Sequence, residues 1–399
     1  MTASYALEWL NLLGRCVHVV AGIAWIGASF YFIWLDNHLQ APVDGAAQER
    51  GVGGELWAVH GGGFYHAQKY RAAPPQLPAQ LHWFKWEAYT TLLSGLFLLA
   101  IVYYARADLY LVDPSIAPLS PAVAVLVGIA WIAGGWLAYD ALCRSALGRS
   151  DRALAVVLAL LCAAAAYALC HLFTGRAAFL HFGAMLGTVM VLNVFFIIIP
   201  GQRALVLAAA EGRAADPALA LRGKQRSVHN TYFTLPVVFT MLCNHYAWIS
   251  GAPWNWLWLI AISAAGALIR AFFVARHRGR ASPWPLLIAA ALLAATAYGA
   301  RPRTASVNSG SPSTARAHSI VAERCSVCHA ATPRFAGIAT APKGVELDDA
   351  AKIRMHAARI RDQVAGRAMP PANVTGLTDA ERSELLAWVD SALKSDGSP

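Results

Sequence analysis

Cys325-Ser326-Val327-Cys328-His329 sets two thiols three positions apart and follows them at once with an imidazole. Such thiols can add to the two vinyl groups of a haem, and the histidine can then ligate the iron from one face. The C-x-x-C-H spacing is the pattern of c-type haem attachment. Two competing chemistries fit worse. A redox-active C-x-x-C pair belongs to a βαβ unit, and no such pattern surrounds this one. A zinc site needs further ligands at finger spacing, but no cysteine follows and the nearest later histidine is His356. The sequence therefore predicts one covalently held haem c with His329 as an axial ligand. For the opposite face the candidates are Met355, His356 and Met369. The first two fall in a basic helical stretch. Met369 precedes Pro370-Pro371 in a stretch without helical pattern, where two prolines hold the chain extended and can present a thioether. Met369 is the preferred ligand, and His/Met ligation raises the potential, as an electron acceptor requires.

A second set of chemistry-bearing residues lies in apolar surroundings, where ionisable groups are expensive and read as functional by default. Arg15 and His18 are three apart on one helical face, His181 sits one turn inside an apolar run, and Asn244-His245 closes another. The plainer reading of each histidine is an interhelical hydrogen-bonding group; their shared depth favours one polar cavity. A further cluster surrounds Gly61-Gly62-Gly63, with His60, His66, Gln68 and Lys69 as donors and Trp57, Tyr65 and Tyr70 as stacking surfaces. Three glycines leave backbone amides free to approach an anion; the plainer reading is a solvated interfacial loop with a glycine hinge. His82 and Glu87, and His229-Asn230, frame the starts of neighbouring apolar runs. Stackable aromatics with many neutral donors suit a planar anionic heterocycle. No Ser/His/Asp hydrolase pattern, P-loop or dinucleotide fingerprint is present.

The elements that must position these groups are membrane helices. Of 399 residues, 57% are hydrophobic and only 14% charged, against roughly a quarter charged in soluble domains. Eight apolar stretches approach the roughly 20 residues needed to cross a bilayer: 8–35, 86–105, 120–142, 152–173, 177–200, 229–250, 254–276 and 282–300. The net charge of +10 is explained without nucleic acid. Lys and Arg concentrate in alternate connections (Arg50, Lys69, Arg71 and Lys85; Arg144, Arg149 and Arg152; Arg203 to Arg226; Arg276 to Arg280), leaving the others nearly bare. Under the positive-inside rule the basic set is cytoplasmic and both termini are external. The haem motif then lies in the periplasm of a multi-pass protein of the bacterial inner membrane. Five further cysteines, of seven in all, share no spacing and read as packing thiols.

Residues 301–315 are rich in Ser, Gly and Pro and read as a flexible linker. Residues 316–399 read as a small class I cytochrome c-like domain. Its helices are expected at 315–324, from Asp348 to Gln363, and after Thr378-Asp379-Ala380-Glu381, a capping box. The fold class expected is all-α: a polytopic helical membrane bundle over 1–300 plus the small helical domain.

Three blocks extend the reading. Glu8-Trp9 with the run from His18 to Asn37, the run from Trp57 to Tyr70, and the run from His82 to Thr90 resemble the N-terminal domain of membrane-bound bacterial urate oxidases (urate hydroxylases). That family joins eight spans to a C-terminal cytochrome c. The resemblance implies oxidation of urate to 5-hydroxyisourate, with electrons leaving through the cytochrome toward a downstream cytochrome c or terminal oxidase. It carries over no catalytic residues. Those stay with the residue reading: His18, His181, His245 and Arg15, or alternatively His60, His66 and Lys69. Two other functions fit the same features. One is a quinol- or small-molecule-oxidising membrane cytochrome with a b-type haem held by His18, His181 or His245. The other is a transporter or sensor carrying a cytochrome module.

Overall fold

Long runs of Leu, Ala, Ile and Val with caps at their ends fold as helices because in lipid every backbone N–H and C=O must be satisfied within its own segment. In the computed structural model, which describes residues 3–301, 313–336 and 338–396, they form α1 (Ala3–His38), α2 (Trp86–Tyr110), α3 (Pro121–Arg144), α4 (Asp151–Cys170), α5 (Gly175–Ala210), α6 (Pro217–Leu242), α7 (Asn255–His277) and α8 (Trp284–Gly299). Most of the 301–315 linker lies outside the described residues. Ser120, Ser150, Thr174 and Asp216 accept backbone hydrogen bonds at the starts of α3 to α6.

Six of these helices, all but α6 and α8, are long and apolar enough to cross a membrane. The expected count was eight. Helix α6 falls short on hydropathy because its buried face is polar, carrying Arg226, Asn230, Thr231, Thr234 and Thr240. Helix α8 has only 16 residues. Both still pack along α7. Helix α5 is the axis, with α3, α4 and α6 around it, and α1 packs mainly on α2.

The basic connections gather at one end of the bundle. Arg278 Nε reaches Asn37 Oδ1 at 3.4 Å, joining the ends of α7 and α1, and Gln225 Nε2 donates to the Gly148 carbonyl at 2.9 Å, joining α6 to the α3–α4 connection. At the opposite end Thr174 Oγ1 donates to the Tyr110 carbonyl at 2.6 Å.

Two features depart from an all-helical expectation. Val52–His60 (β1) and Gly63–Tyr70 (β2) pair as an antiparallel hairpin at the basic end. Gly61 and Gly62 form its turn at φ +57° and +80°, which a side chain would strain. The glycine cluster is thus spent on a turn between two aromatic, β-branched runs. The second departure is helical. Leu99–Tyr103 in α2 and Val194–Ile198 in α5 are π turns, each admitting an extra residue. The second has a covalent cause: Pro200 has no N–H for the carbonyl four residues before it.

The C-terminal domain comprises α9 (Thr314–Arg324), α10 (Ala350–Met355), α11 (Ala357–Ala365) and α12 (Asp379–Asp396). The single helix expected from Asp348 breaks at His356. The capping box forms as expected: the Glu381 N–H donates to Thr378 Oγ1 at 3.2 Å, and the Thr378 N–H to Glu381 Oε2 at 2.9 Å. Ile320, Val321, Leu347, Ile360, Leu385 and Val389 share one core. The domain docks on the end of the bundle away from the basic loops. Helix α11 contacts the short helix Ala247–Ser250, and Pro371–Asn373 contacts Ala107–Tyr110. The fit is close, since a Cβ on Gly251 would collide with the Gly366 carbonyl.

Candidate functional site

Cys325 and Cys328 directly follow α9, both unpaired, with burial raising the Cys325 thiol to about 12. His329 Nδ1 lies 2.9 Å from the Val345 carbonyl. A carbonyl only accepts, so Nδ1 carries the proton and Nε2 presents a lone pair, the second-shell arrangement that orients a metal-binding imidazole. Met369 occupies the segment that Arg382 grips from below, donating to the Val364 carbonyl at 2.6 Å and the Met369 carbonyl at 3.3 Å. Burial lowers the Arg382 guanidinium to about 10. Met355, the rejected candidate, is 72% exposed. Two thiols and an oriented imidazole are donors that suit a covalently attached haem, and Pro371–Asn373, just after Met369, packs on the bundle.

The first polar cluster of the bundle includes Tyr104, three residues before the Ala107–Tyr110 turn that Pro371–Asn373 contacts. His181 is fully buried; its Nδ1 lies 2.8 Å from the Ala177 carbonyl and its Nε2 3.1 Å from the Tyr104 hydroxyl. The same tautomer argument makes Nε2 the acceptor and Tyr104 the donor. Phe173 stacks on the ring at 4.9 Å. The π turn at Leu99–Tyr103 rotates Tyr104 into this position. Gly128 of α3 leaves room for the pair: a Cβ there would stand 2.5 Å from His181 Nε2 and 2.9 Å from the Tyr104 hydroxyl. Beside the pair, the hydroxyl of the adjacent Tyr103 donates to Asn244 Oδ1 at 2.8 Å.

The second cluster lies toward the basic end and also borders a π turn. Asn193 Nδ2 donates to the Tyr139 hydroxyl at 3.0 Å and to Asn230 Oδ1 at 2.9 Å, and the Tyr139 hydroxyl lies 2.8 Å from His229 Nδ1. Arg226, 3% exposed, pairs with Asp140 at 2.7 Å and lies over the Tyr139 ring. An apolar cavity of about 380 Å³ adjoins Tyr139, lined by Trp131, Met185 and Phe233.

The hairpin holds the third. His66 Nε2 lies 2.9 Å from Glu55 Oε2, and its ring stacks on Trp57 at 4.1 Å with 6° between the planes. Burial alone would raise the Glu55 carboxyl, but the Val43 N–H, His66 and Gln68 hold it below the usual carboxylate range. Beside this pair opens a polar hollow of about 970 Å³, reached by Trp34, His38, Arg50 and Gln68.

The urate oxidase N-terminal family matches residues 4–300. The chain belongs to the urate oxidase N-terminal family. Membership places it among urate-related oxidoreductases, with a helical domain suited to a membrane. No curated protein and no solved structure matches it. The family match covers the bundle and the hairpin and ends before the haem-motif domain.

Within that family domain the sequence candidates separate. His18 does not join His181: its Nδ1 binds the Thr91 carbonyl at 3.0 Å and Ser94 Oγ at 3.1 Å, tying α1 to α2, with Gly95 opening space for the ring. Arg15 bonds back to Asn11 on its own helix. His245 is exposed just after α6. No hydrogen bond or ring contact links His18, His181 and His245 among the described residues: His18 meets α2 at Thr91 and Ser94, His181 meets it ten residues further on at Tyr104, and His245 is exposed. In the alternative set, His66 meets Glu55, Lys69 pairs with Asp36 at 2.8 Å, and His60 is exposed beside the turn. Among the described residues no three His, Cys, Asp or Glu side chains converge as a metal site. Sequence reasoning passed over Tyr104, Tyr139, Asn193 and Asp140, and read Arg226, which is buried against Asp140, as a loop charge. The signal available was a charged or amide residue beside an apolar run.

Proposed function

We propose that the protein oxidises urate to 5-hydroxyisourate at a bacterial inner membrane and delivers the electrons to a haem c on its own C-terminal domain. In this reading α6 and α8 complete eight spans, the basic end is cytoplasmic and the docked domain periplasmic. Urate takes up water and releases two electrons and two protons in becoming 5-hydroxyisourate. When bound to Cys325, Cys328, His329 and Met369, haem supplies a one-electron acceptor whose His/Met ligation raises its potential. A downstream cytochrome c or terminal oxidase then takes the electrons.

The observation that carries the reading, beside family membership, is the docking: Pro371–Asn373, two residues after Met369, rests on Ala107–Tyr110, three residues beyond Tyr104. The Tyr104–His181 pair is too tightly packed to admit a substrate, since even one methyl group on Gly128 would strike it. Its role is transfer. His181 Nε2 is the lone pair that can take the Tyr104 proton, and Nδ1–H on Ala177 holds the ring for it. Substrate enters where there is room, through the polar hollow at the other end. A membrane b-type haem is disfavoured, because both nitrogens of His181 are engaged and no second histidine contacts it among the described residues.

The test is to mix purified full-length protein with urate without oxygen and follow the reduced c-haem absorbance. The band is expected to appear as urate disappears. Urate consumed while the haem stays oxidised, or urate accumulated in vesicles unchanged, sinks the reading. Replacing Cys325 and Cys328 together by Ala abolishes both haem and turnover.

A further inference from the structure

Three arginines are buried among the described residues, and two of them make hydrogen bonds, although Arg382 Nε, like Arg270 Nε, has no partner. Arg226 has Asp140, an amide and an aromatic ring; Arg382 has two carbonyls. The third, Arg270 of α7, is 6% exposed and has neither a hydrogen bond nor a carboxylate among the described residues. Its guanidinium lies over the Phe30 ring of α1 at 3.9 Å, and its Nε has no partner. A buried, unpaired cation inside a helix bundle is costly unless something absent from the chain completes it. Ser263, two turns earlier on the same face of α7, also has a buried hydroxyl without a partner. Gly266 between them lets α7 approach Leu235 and Pro236 of α6.

We propose that Arg270 is the anchor for a planar purine anion, the substrate form of urate, bound in the seam between α1, α6 and α7. The proposal rests on the urate reading and gives that reading its site. A guanidinium presents a flat fork of donors, which matches a flat anionic edge, and the charge assists every hydrogen bond made to it. The α1 side of the seam continues toward the polar hollow. Phe30, Trp34 and His38 recur every fourth residue on α1; the His38 ring meets His277 of α7 at 5.1 Å, and Trp34 and His38 line the hollow. Arg270 lies seven residues inside the end of α7, about 10 Å along the helix. Urate enters through the hollow and meets the guanidinium at the end of the seam. A lipid phosphate is the other source of an anion, but Arg270 faces the interior of the bundle.

The experiment compares wild type, R270Q, R270K and the surface control R213Q under nitrogen, reading thermal unfolding with urate, xanthine or inorganic phosphate, and urate kinetics with oxidant. Urate and xanthine are expected to raise the Tm of wild type and R213Q saturably. In R270Q the shift vanishes and KM for urate rises ten- to a hundredfold, with kcat changed less. R270K, which keeps the charge but loses the fork, falls between, and it decides the matter if R270Q does not fold. Equal shifts and equal KM in wild type and the folded variant overturn the proposal. So does a wild type stabilised by phosphate but by neither purine. A wild type that binds purine through Arg270 yet never turns urate over keeps the anion site and removes the urate oxidation reading.

Discussion

The bundle contains two tyrosine–histidine pairs, each beside a π turn, and they are built in opposite ways. At the docked end Tyr104 and His181 meet with no charge in contact; a phenyl ring, a glycine and one carbonyl complete their surroundings. Toward the basic end Tyr139 and His229 belong to a web of two asparagines and the Arg226–Asp140 ion pair. A neutral pair with one donor and one acceptor can shift a proton without reorganising anything else. A web in which each polar atom serves several partners resists such a shift and locks α3, α5 and α6 together. We read the first as the transfer element and the second as the fastener.

The largest effect expected is on the fastener. Replacing Asp140 by Leu leaves Arg226 buried and uncompensated, which costs about 3–5 kcal/mol. Thermal unfolding of the purified protein should register it, while urate-driven haem reduction per folded molecule stays near wild type. A variant of unchanged Tm denies the web its role. Next is the transfer element: His181→Gln should slow anaerobic urate-driven haem reduction about a hundredfold, leaving the haem spectrum intact. A rate within a few-fold of wild type means that electrons and protons pass elsewhere.

These two pairs also mark how far the sequence could be read. The helices, their alternating basic connections, the haem motif and the capping box at Thr378 follow from local chemistry, and local chemistry is visible in a linear chain. His181 was visible for the same reason, as an ionisable group in an apolar run. Its partner was not, because Tyr104 reaches it only through the π turn at Leu99–Tyr103, which no residue pattern announces. His18 misled for the converse reason: its depth suggested a shared cavity, but Thr91 and Ser94, which satisfy it, lie ten or more residues before Tyr104 on α2. The hairpin was legible in principle, since two glycines between aromatic and β-branched runs favour a tight turn. Arg270 was the clearest missed signal, a charge in the middle of an apolar span.

A smaller effect tests the neutral pair by volume alone. Gly128→Ala adds one methyl group against His181 Nε2 and the Tyr104 hydroxyl, and overpacking of this kind costs about 1–3 kcal/mol. The pair must separate, so haem reduction should slow about tenfold. Gly134→Ala, where a Cβ meets nothing within 4 Å, should leave the rate alone. Equal rates in the two variants would show that the Tyr104–His181 distance does not matter.

The finest discrimination removes one oxygen atom from each pair. Tyr104 spends its hydroxyl on His181 alone, so Tyr104→Phe forfeits a single hydrogen bond, about 1 kcal/mol, and little stability. It does remove the proton that His181 accepts, so the rate should fall and the solvent deuterium isotope effect on haem reduction should shrink. Tyr139→Phe strands both Asn193 Nδ2 and His229 Nδ1 in a buried web, about 1–3 kcal/mol. The rate and isotope effect of the folded protein should then match wild type. The two substitutions are chemically identical, so any difference between them comes from their surroundings. If both slow the reaction alike and both diminish the isotope effect, the division between transfer and fastening is wrong, and protons run the length of α5.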